Sequence, residues 1–330
     1  MNDTPNPGVP MLTWADAATI AQRYRLGPVA SLTGPTATGM QGAVWRLRTS
    51  DGDYAVKVPL RPQDEGEMRA NAAFTRAAID VGVLAPAALR TTAGDLLTDL
   101  AAGRPADAPT QVRVYAWVDL DDADLGIDPG AVGRVLGLVH RVGAPTTEAV
   151  DPWYTETVGE RAWAALARAA SDGGAPFAAD LTAVTASVSD LEDLVRPPSG
   201  LRICHRDLWA DNVRTTPGGR LCVIDWDNAG PADPAGELAM VLTEFATDAA
   251  GRVDPGRARR LLDAYADAGG PARLREPGDF SMVVCVLGHI LELHVRSWLR
   301  GEERNRSEAG VAEFLDRRVT RSTIEGLLAV

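Results

Sequence analysis

Apolar positions along the chain change period about a third of the way in. Residues 43–48, Ala-Val-Trp-Arg-Leu-Arg, alternate at strand spacing. Asp51-Gly52 then supplies a hairpin turn, and residues 54–58, Tyr-Ala-Val-Lys-Val, read as the returning strand. Thr13 with Asp16 three residues later has the form of a capping box, which predicts a helix over residues 14–25. Residues 31–42, with Gly34, Gly39 and Gly42, read as a glycine-bearing loop. A helix is expected to start near Asp64, a short strand over 95–98 to follow a turn at Ala93-Gly94, and the strongest strand to run over 111–118. Beyond that point helix signals dominate. Asp128-Pro129, Asp233-Pro234 and Asp254-Pro255 each pair an N-cap with proline at the first helical position. Residues 151–170 and 178–196 read as two alanine-rich helices, and 281–299 as a mostly apolar one. Two short apolar runs interrupt this part, 202–204 and 221–224, with a turn at Pro217-Gly218-Gly219 between them.

A chain of 330 residues can bury one or two cores, and 45% hydrophobic with 24% charged residues is ordinary for a globular enzyme. The 33 basic and 45 acidic residues give a net charge of −12, which argues against a nucleic-acid partner. It suits a cationic substrate drawn to an acidic cleft, and equally suits plain solubility. Three cysteines without a CxxC spacing point to reduced thiols rather than a metal–thiolate site. The first ten residues lack a basic region followed by an apolar one, and no unbroken apolar run approaches 18 residues. The expectation is therefore a cytoplasmic protein with no membrane partner.

The chemistry concentrates in residues 201–234. The first short strand delivers His205, Asp207 and Asn212, and the second ends in Asp225-Trp226-Asp227. His-Arg-Asp-Leu followed by Asn four residues after the Leu matches the spacing of a kinase catalytic loop. Phosphoryl transfer needs a carboxylate to orient an attacking hydroxyl, and oxygen ligands to hold Mg²⁺ on the nucleotide phosphates. With the turn and the second aspartate in order behind it, this stretch resembles the aminoglycoside phosphotransferase and choline kinase family, the small-molecule branch of the protein-kinase-like fold. Asp225 is followed by Trp-Asp rather than Phe-Gly, and no long activation segment follows before Asp233-Pro234 opens a helix. Arg206 and Trp209-Ala210-Asp211 depart from the pattern of many members, which carry Gly and His-Pro-Gly there.

The resemblance implies an α+β, two-lobed fold. An N-lobe over residues 1–115 would bind nucleotide through a small antiparallel sheet, and a mainly helical C-lobe would cover 116–330. It gives Asp207 the acceptor hydroxyl and its proton, and makes His205 a brace for the catalytic loop. Asn212 and Asp225 become Mg²⁺ ligands, and Lys57 a clamp on the α- and β-phosphates. Glu67, with Glu65 as the alternative, would align Lys57 from the next helix. Gly39 and Gly42 would close over the phosphates, while Tyr115, Trp117 and Val118 would meet the adenine edge. Asp119 and Asp121 are candidate contacts for a cationic acceptor, or members of a solvated loop. Glu156 and Glu160 are further candidate contacts, as is Glu292, unless it pairs with Arg296 four residues on. For Asp227 three roles stay open: aiding the metal, capping a backbone, or meeting substrate. The expected reaction is transfer of the γ-phosphoryl group of ATP or GTP to a hydroxyl of an aminoglycoside-like or other cationic antibiotic, conferring resistance. The alternative is a metabolic kinase for an amino alcohol, amino acid or sugar. A non-catalytic nucleotide-binding regulator is the rival from another class.

Overall fold

The computed structural model describes residues 11–38, 42–100, 110–248, 250–316 and 319–330. The chain divides into two units, the first comprising Met1–Asp121 with Thr216–Asp227, the second Asp122–Thr215 with Asn228–Val330.

In the first unit the expected capping box forms. Thr13 accepts from the Asp16 backbone while Asp16 accepts from that of Thr13, and helix α1 (Trp14–Tyr24) follows. Ala17 and Ile20 are fully buried against a five-stranded antiparallel sheet. The strands are β1 (Val29–Thr38), β2 (Gly42–Thr49), β3 (Asp53–Pro59), β4 (Leu97–Leu100) and β5 (Thr110–Ala116), in spatial order β1-β2-β3-β5-β4. Alternation sorts the two faces. Trp45, Leu47, Val56, Val58, Val112 and Val114 join α1 in one core, whereas Lys57 and Arg113 occupy the opposite parity and pair directly across β3 and β5. Helix α2 (Glu65–Asp80), capped by Asp64, brings Met68 to Arg113 and Phe74 to Trp226.

One expectation changes here. Residues 31–38 are not a loop but part of β1, paired with β2 through a register shift between Thr33 and Ala37. The shift lets a Gly-Pro-containing segment lie in a strand, because the residues of the irregular stretch need not complete the ladder. Gly39 falls outside the described residues. Gly42 opens β2, where a Cβ would come within 2.4 Å of the Val58 carbonyl oxygen, so its glycine serves close strand approach.

The second unit is mainly helical. Helix α3 (Pro129–Val142), capped by Asp128, precedes helices α4 (Glu160–Asp172) and α5 (Ala178–Glu192). The continuous helix expected over 151–170 is broken. A short 3-10 turn over Pro152–Tyr154 is followed by Gly159 at a φ of 85°, and α4 starts only at Glu160. Strand β6 (Arg202–Cys204) pairs with the later strand Gly230–Ala232. Strand β7 (Val213–Thr215) belongs to this unit, and β8 (Leu221–Val223) to the first; the partner of β6 is β9 (Gly230–Ala232). Helices α6 (Pro234–Ala246), α7 (Pro255–Asp267), α8 (Ser281–Leu299), α9 (Arg304–Asp316) and α10 (Arg321–Leu328) complete it. Helices α3 and α7 approach closely because Gly133 and Gly137 face α7, where added methyls would meet the carbonyl oxygens of Leu261 at 2.1 Å and Tyr265 at 2.6 Å. The stretch Pro277–Leu299 is long and apolar enough to cross a membrane, with half of its apolar window buried inside the protein. Polar residues interrupt it, so a search for unbroken apolar runs passes over it, and its Leu291, Val295 and Trp298 belong to the helical core.

Candidate active site

Sheet register brings together one group of candidate residues. Lys57 and Arg113 sit opposite each other on adjacent strands, a like-charge arrangement that is unfavourable without a counter-ion. The segment after β8 provides it. Asp225 adopts a left-handed φ of 56°, and the adjoining Trp226 is anchored by its Nε1–H to the Val223 carbonyl and edge-on against Phe74. The turn carries Asp225 and Asp227 to the sheet. Lys57 Nζ donates to Asp225 Oδ1 and to Asp227 Oδ2, both at 2.7 Å. Arg113 grips Asp227 with both ends of its guanidinium, Nη1 to Oδ1 at 2.7 Å and Nη2 to Oδ2 at 2.5 Å. Asn71 of α2 donates to the Asp227 carbonyl.

These contacts set the charges. Burial pushes the Asp227 carboxyl up, but the Arg113 and Lys57 cations outweigh it and hold Asp227 at about 2. Burial lowers Lys57, and the Asp225 and Asp227 carboxylates more than reverse that, leaving it above the ordinary lysine value. Both groups are therefore ionised at neutral pH.

The acid aligned with Lys57 is thus not the one expected. Glu67 is exposed and only its backbone engages the Asp64 cap, while Glu65 accepts from Arg69 and from the Leu96 backbone. Tyr115, Trp117 and Val118 lie at the end of β5 and just beyond it. Trp117 stacks beneath the Arg46 guanidinium at 4.5 Å and donates from Nε1 to Asp119, which Arg46 also approaches at 3.5 Å. Asp121 is exposed.

A second group lies wholly in the helical unit. Asp207 is held by two amides: Asn212 Nδ2 donates to its backbone oxygen at 2.9 Å and its carboxylate at 3.0 Å, and Asn228 Nδ2 donates to the same carboxylate oxygen at 2.9 Å. Behind the loop stands Glu237, fully buried on α6. It accepts from the backbone N–H of Arg206 at 2.5 Å and of His205 at 3.2 Å, and lies 2.8 Å from His140 Nε2. Ala272 N–H donates to the Tyr265 hydroxyl, which lies 2.9 Å from His140 Nδ1. Burial raises the Glu237 carboxyl, and hydrogen bonding to His140 leads the effects that bring it below its ordinary value. Arg206 takes a left-handed φ of 67°, the conformation a glycine would adopt freely. Its side chain answers the strain, Nε donating to the Asn228 carbonyl while the guanidinium lies 4.4 Å over the Tyr154 ring.

Among the remaining candidates, Glu292 forms the ion pair with Arg296 at 2.7 Å and also approaches His289. Glu156 engages His289 through its backbone carbonyl, and Glu160 is an exposed residue of the first turn of α4. Glu237, Arg113, Asn71 and Asn228 were not singled out from sequence. A glutamate three residues after an Asp-Pro helix start looks like an ordinary first-turn acid, and an arginine in an apolar strand like an edge residue.

Asp225 and Asn212 each offer the type of oxygen donor that a hard divalent cation takes. Asp225 keeps a half-exposed carboxylate, its side chain 32% accessible. Asn212 spends its Nδ2 on Asp207, which leaves the oxygen end of the amide to ligate.

A lysine-bearing antiparallel sheet followed by a mainly helical unit with a loop that restrains an aspartate is the architecture of the kinase-like fold. The profile of the phosphotransferase enzyme family matches residues 35–277, and the chain belongs to that family. It is 31% identical over 196 residues to a homoserine kinase of Pseudomonas aeruginosa strain UCBPP-PA14, spanning 56% of each chain. A homoserine kinase of Gluconacetobacter diazotrophicus is 26% identical over 258 residues, 73% of each. The structure of spectinomycin phosphotransferase APH(9)-Ia with ADP and spectinomycin superposes with a TM-score of 0.66 at 15% identity, covering 97% of this chain and 98% of that one. The chain thus spans little more than half of the Pseudomonas relative.

Proposed function

We propose that this protein transfers the γ-phosphoryl group of ATP or GTP to the hydroxyl of a small amine-bearing molecule. The observation that carries the reading is Asp207, an aspartate at the kinase catalytic-loop position whose carboxylate is aimed by Asn212 and Asn228. In this reading Asp207 orients the acceptor hydroxyl and takes its proton late in the transfer. Lys57 binds the α- and β-phosphates, and Glu237 fixes the backbone that presents Asp207. Asn212 and Asp225 would hold Mg²⁺, which neutralises phosphate charge when bound. The chemistry is chiefly positioning and electrostatics, so rigid support of each group is what the protein contributes.

For the acceptor, the two homoserine kinases among the sequence relatives favour an amino acid or amino alcohol. An aminoglycoside-like antibiotic is the second reading, supported by the similarity to a spectinomycin phosphotransferase along almost the whole chain. Nucleotide turnover with Mg²⁺ across homoserine, amino alcohols, choline, amino sugars and aminoglycosides, with ATP and GTP in parallel, tests both. Stimulation by one class, with phosphate located in the product, supports the reading. Nucleotide binding without stimulation by any hydroxyl compound would favour a non-catalytic regulator.

A further inference from the structure

Three features of the first unit remain unexplained by the proposed reaction: a buried arginine on β5, an acid two residues beyond Asp225, and the lack of any α2 carboxylate on Lys57. We infer that Asp227 and Arg113 are positioning residues that together replace a helix-borne acid as the fixed partner of Lys57; this rests on the phosphate-binding role given to Lys57 above.

The two carboxylates on Lys57 are not equivalent. Asp225 is 32% accessible and is engaged by Lys57, so a metal ion can draw it away. Asp227 is 10% accessible and held by both guanidinium ends of Arg113, itself 5% accessible. A two-point Arg–carboxylate grip fixes both distance and plane. Asn71 holds the Asp227 backbone from α2, and Met68 of the same helix abuts Arg113. The helix thus contributes an amide and a thioether where its acids, Glu65 and Glu67, are engaged elsewhere or exposed.

Charge arithmetic agrees. Lys57, Arg113, Asp225 and Asp227 form a neutral quartet. Once Asp225 serves a metal and Lys57 serves phosphates, Arg113 and Asp227 remain a neutral buried pair, and Asp227 still steadies the ammonium through Oδ2. Arg113 alone would repel the opposing Lys57 across the strands. Each member of the pair therefore requires the other.

The test is a double-mutant cycle between Asp227→Asn and Lys57→Met, read in nucleotide affinity and, with the best acceptor, in kcat and KM for nucleotide. Asp227→Asn is expected to weaken nucleotide handling roughly 10- to 100-fold, the equivalent of one charge-assisted hydrogen bond. In the Lys57→Met background the same substitution should change affinity less than about twofold, because its effect passes through Lys57. Asp227→Glu should retain more activity than Asp227→Asn, although Asn is the closer match in shape. Arg113→Met/Asp227→Asn, which removes both buried charges, should fold and reproduce the loss of Asp227→Asn. Additive losses in the cycle would overturn the inference and place Asp227 at metal or acceptor, as would unchanged affinity in Asp227→Asn. Nucleotide affinity keeps the inference testable even if no acceptor is phosphorylated, an outcome that would count against the proposed reaction instead.

Discussion

Replacing Glu237 by glutamine changes one atom type at a fully buried site, and its consequence can be worked from the contacts. The carboxylate receives three donors: the Arg206 and His205 backbone N–H groups and the His140 imidazole. A glutamine offers one oxygen and one NH₂. With the oxygen toward Arg206, the NH₂ confronts His205 and His140; turned over, it confronts Arg206. At least one buried donor then loses its acceptor, costing about 1–3 kcal/mol, and the remaining bonds lose their charge assistance. A loss of about 3 kcal/mol is expected, which at 2–4 °C per kcal/mol for a unit of this size lowers Tm by about 6–12 °C. Because two donors belong to the loop carrying Asp207, kcat should fall more than KM for nucleotide rises. Circular dichroism melts with nucleotide turnover measure both. A variant melting within about 2 °C of the parent would refute the view that Glu237 anchors the catalytic loop, since a single lost buried bond exceeds that shift.

Asp207→Ala should lower kcat by roughly 10²–10⁴, the scale of a lost general base, with the fold retained by circular dichroism. Asp225→Ala should remove the Mg²⁺-dependent turnover, measured by metal titration; an unchanged Mg²⁺ response would overturn the metal assignment. Arg206→Gly and Arg206→Ala both delete the Asn228 and Tyr154 contacts, but only alanine keeps the left-handed penalty; urea unfolding should find alanine less stable by about 1 kcal/mol. Glu237 has a folded-state value below the ordinary glutamate value of 4.5, so its stabilisation is complete above 4.5 and is lost as pH falls through the folded-state value. Melts of the parent and Glu237→Gln should accordingly converge in acid and diverge toward neutrality.

Local order was legible in the sequence because short-range physics writes it there. The Thr13–Asp16 box, the Asp-Pro helix starts and the alternation around Lys57 each require only neighbouring residues, and each formed where expected. The spacing of His205, Asp207 and Asn212 is likewise a local loop property, and Asp207 and Asn212 do meet. The loop expected over 31–38 became strand because pairing with β2 outweighs the local preference of a Gly-Pro segment.

Partnerships between distant residues were decided only in three dimensions. Sequence distance hides the bond between Lys57 and Asp227, 170 positions apart, and glycine-permitted contact of α3 with α7 likewise depends on packing. The choice of acid for Lys57 followed from which carboxylate the fold buries beside a second cation. Glu67 was near in sequence but remained in water, whereas Asp227 was carried to the sheet by the turn after β8 and locked there by Arg113. Local spacing along the chain identifies which groups can do the chemistry. Tertiary structure decided which of them hold one another, because desolvation makes a buried charge choose the partner that can neutralise it.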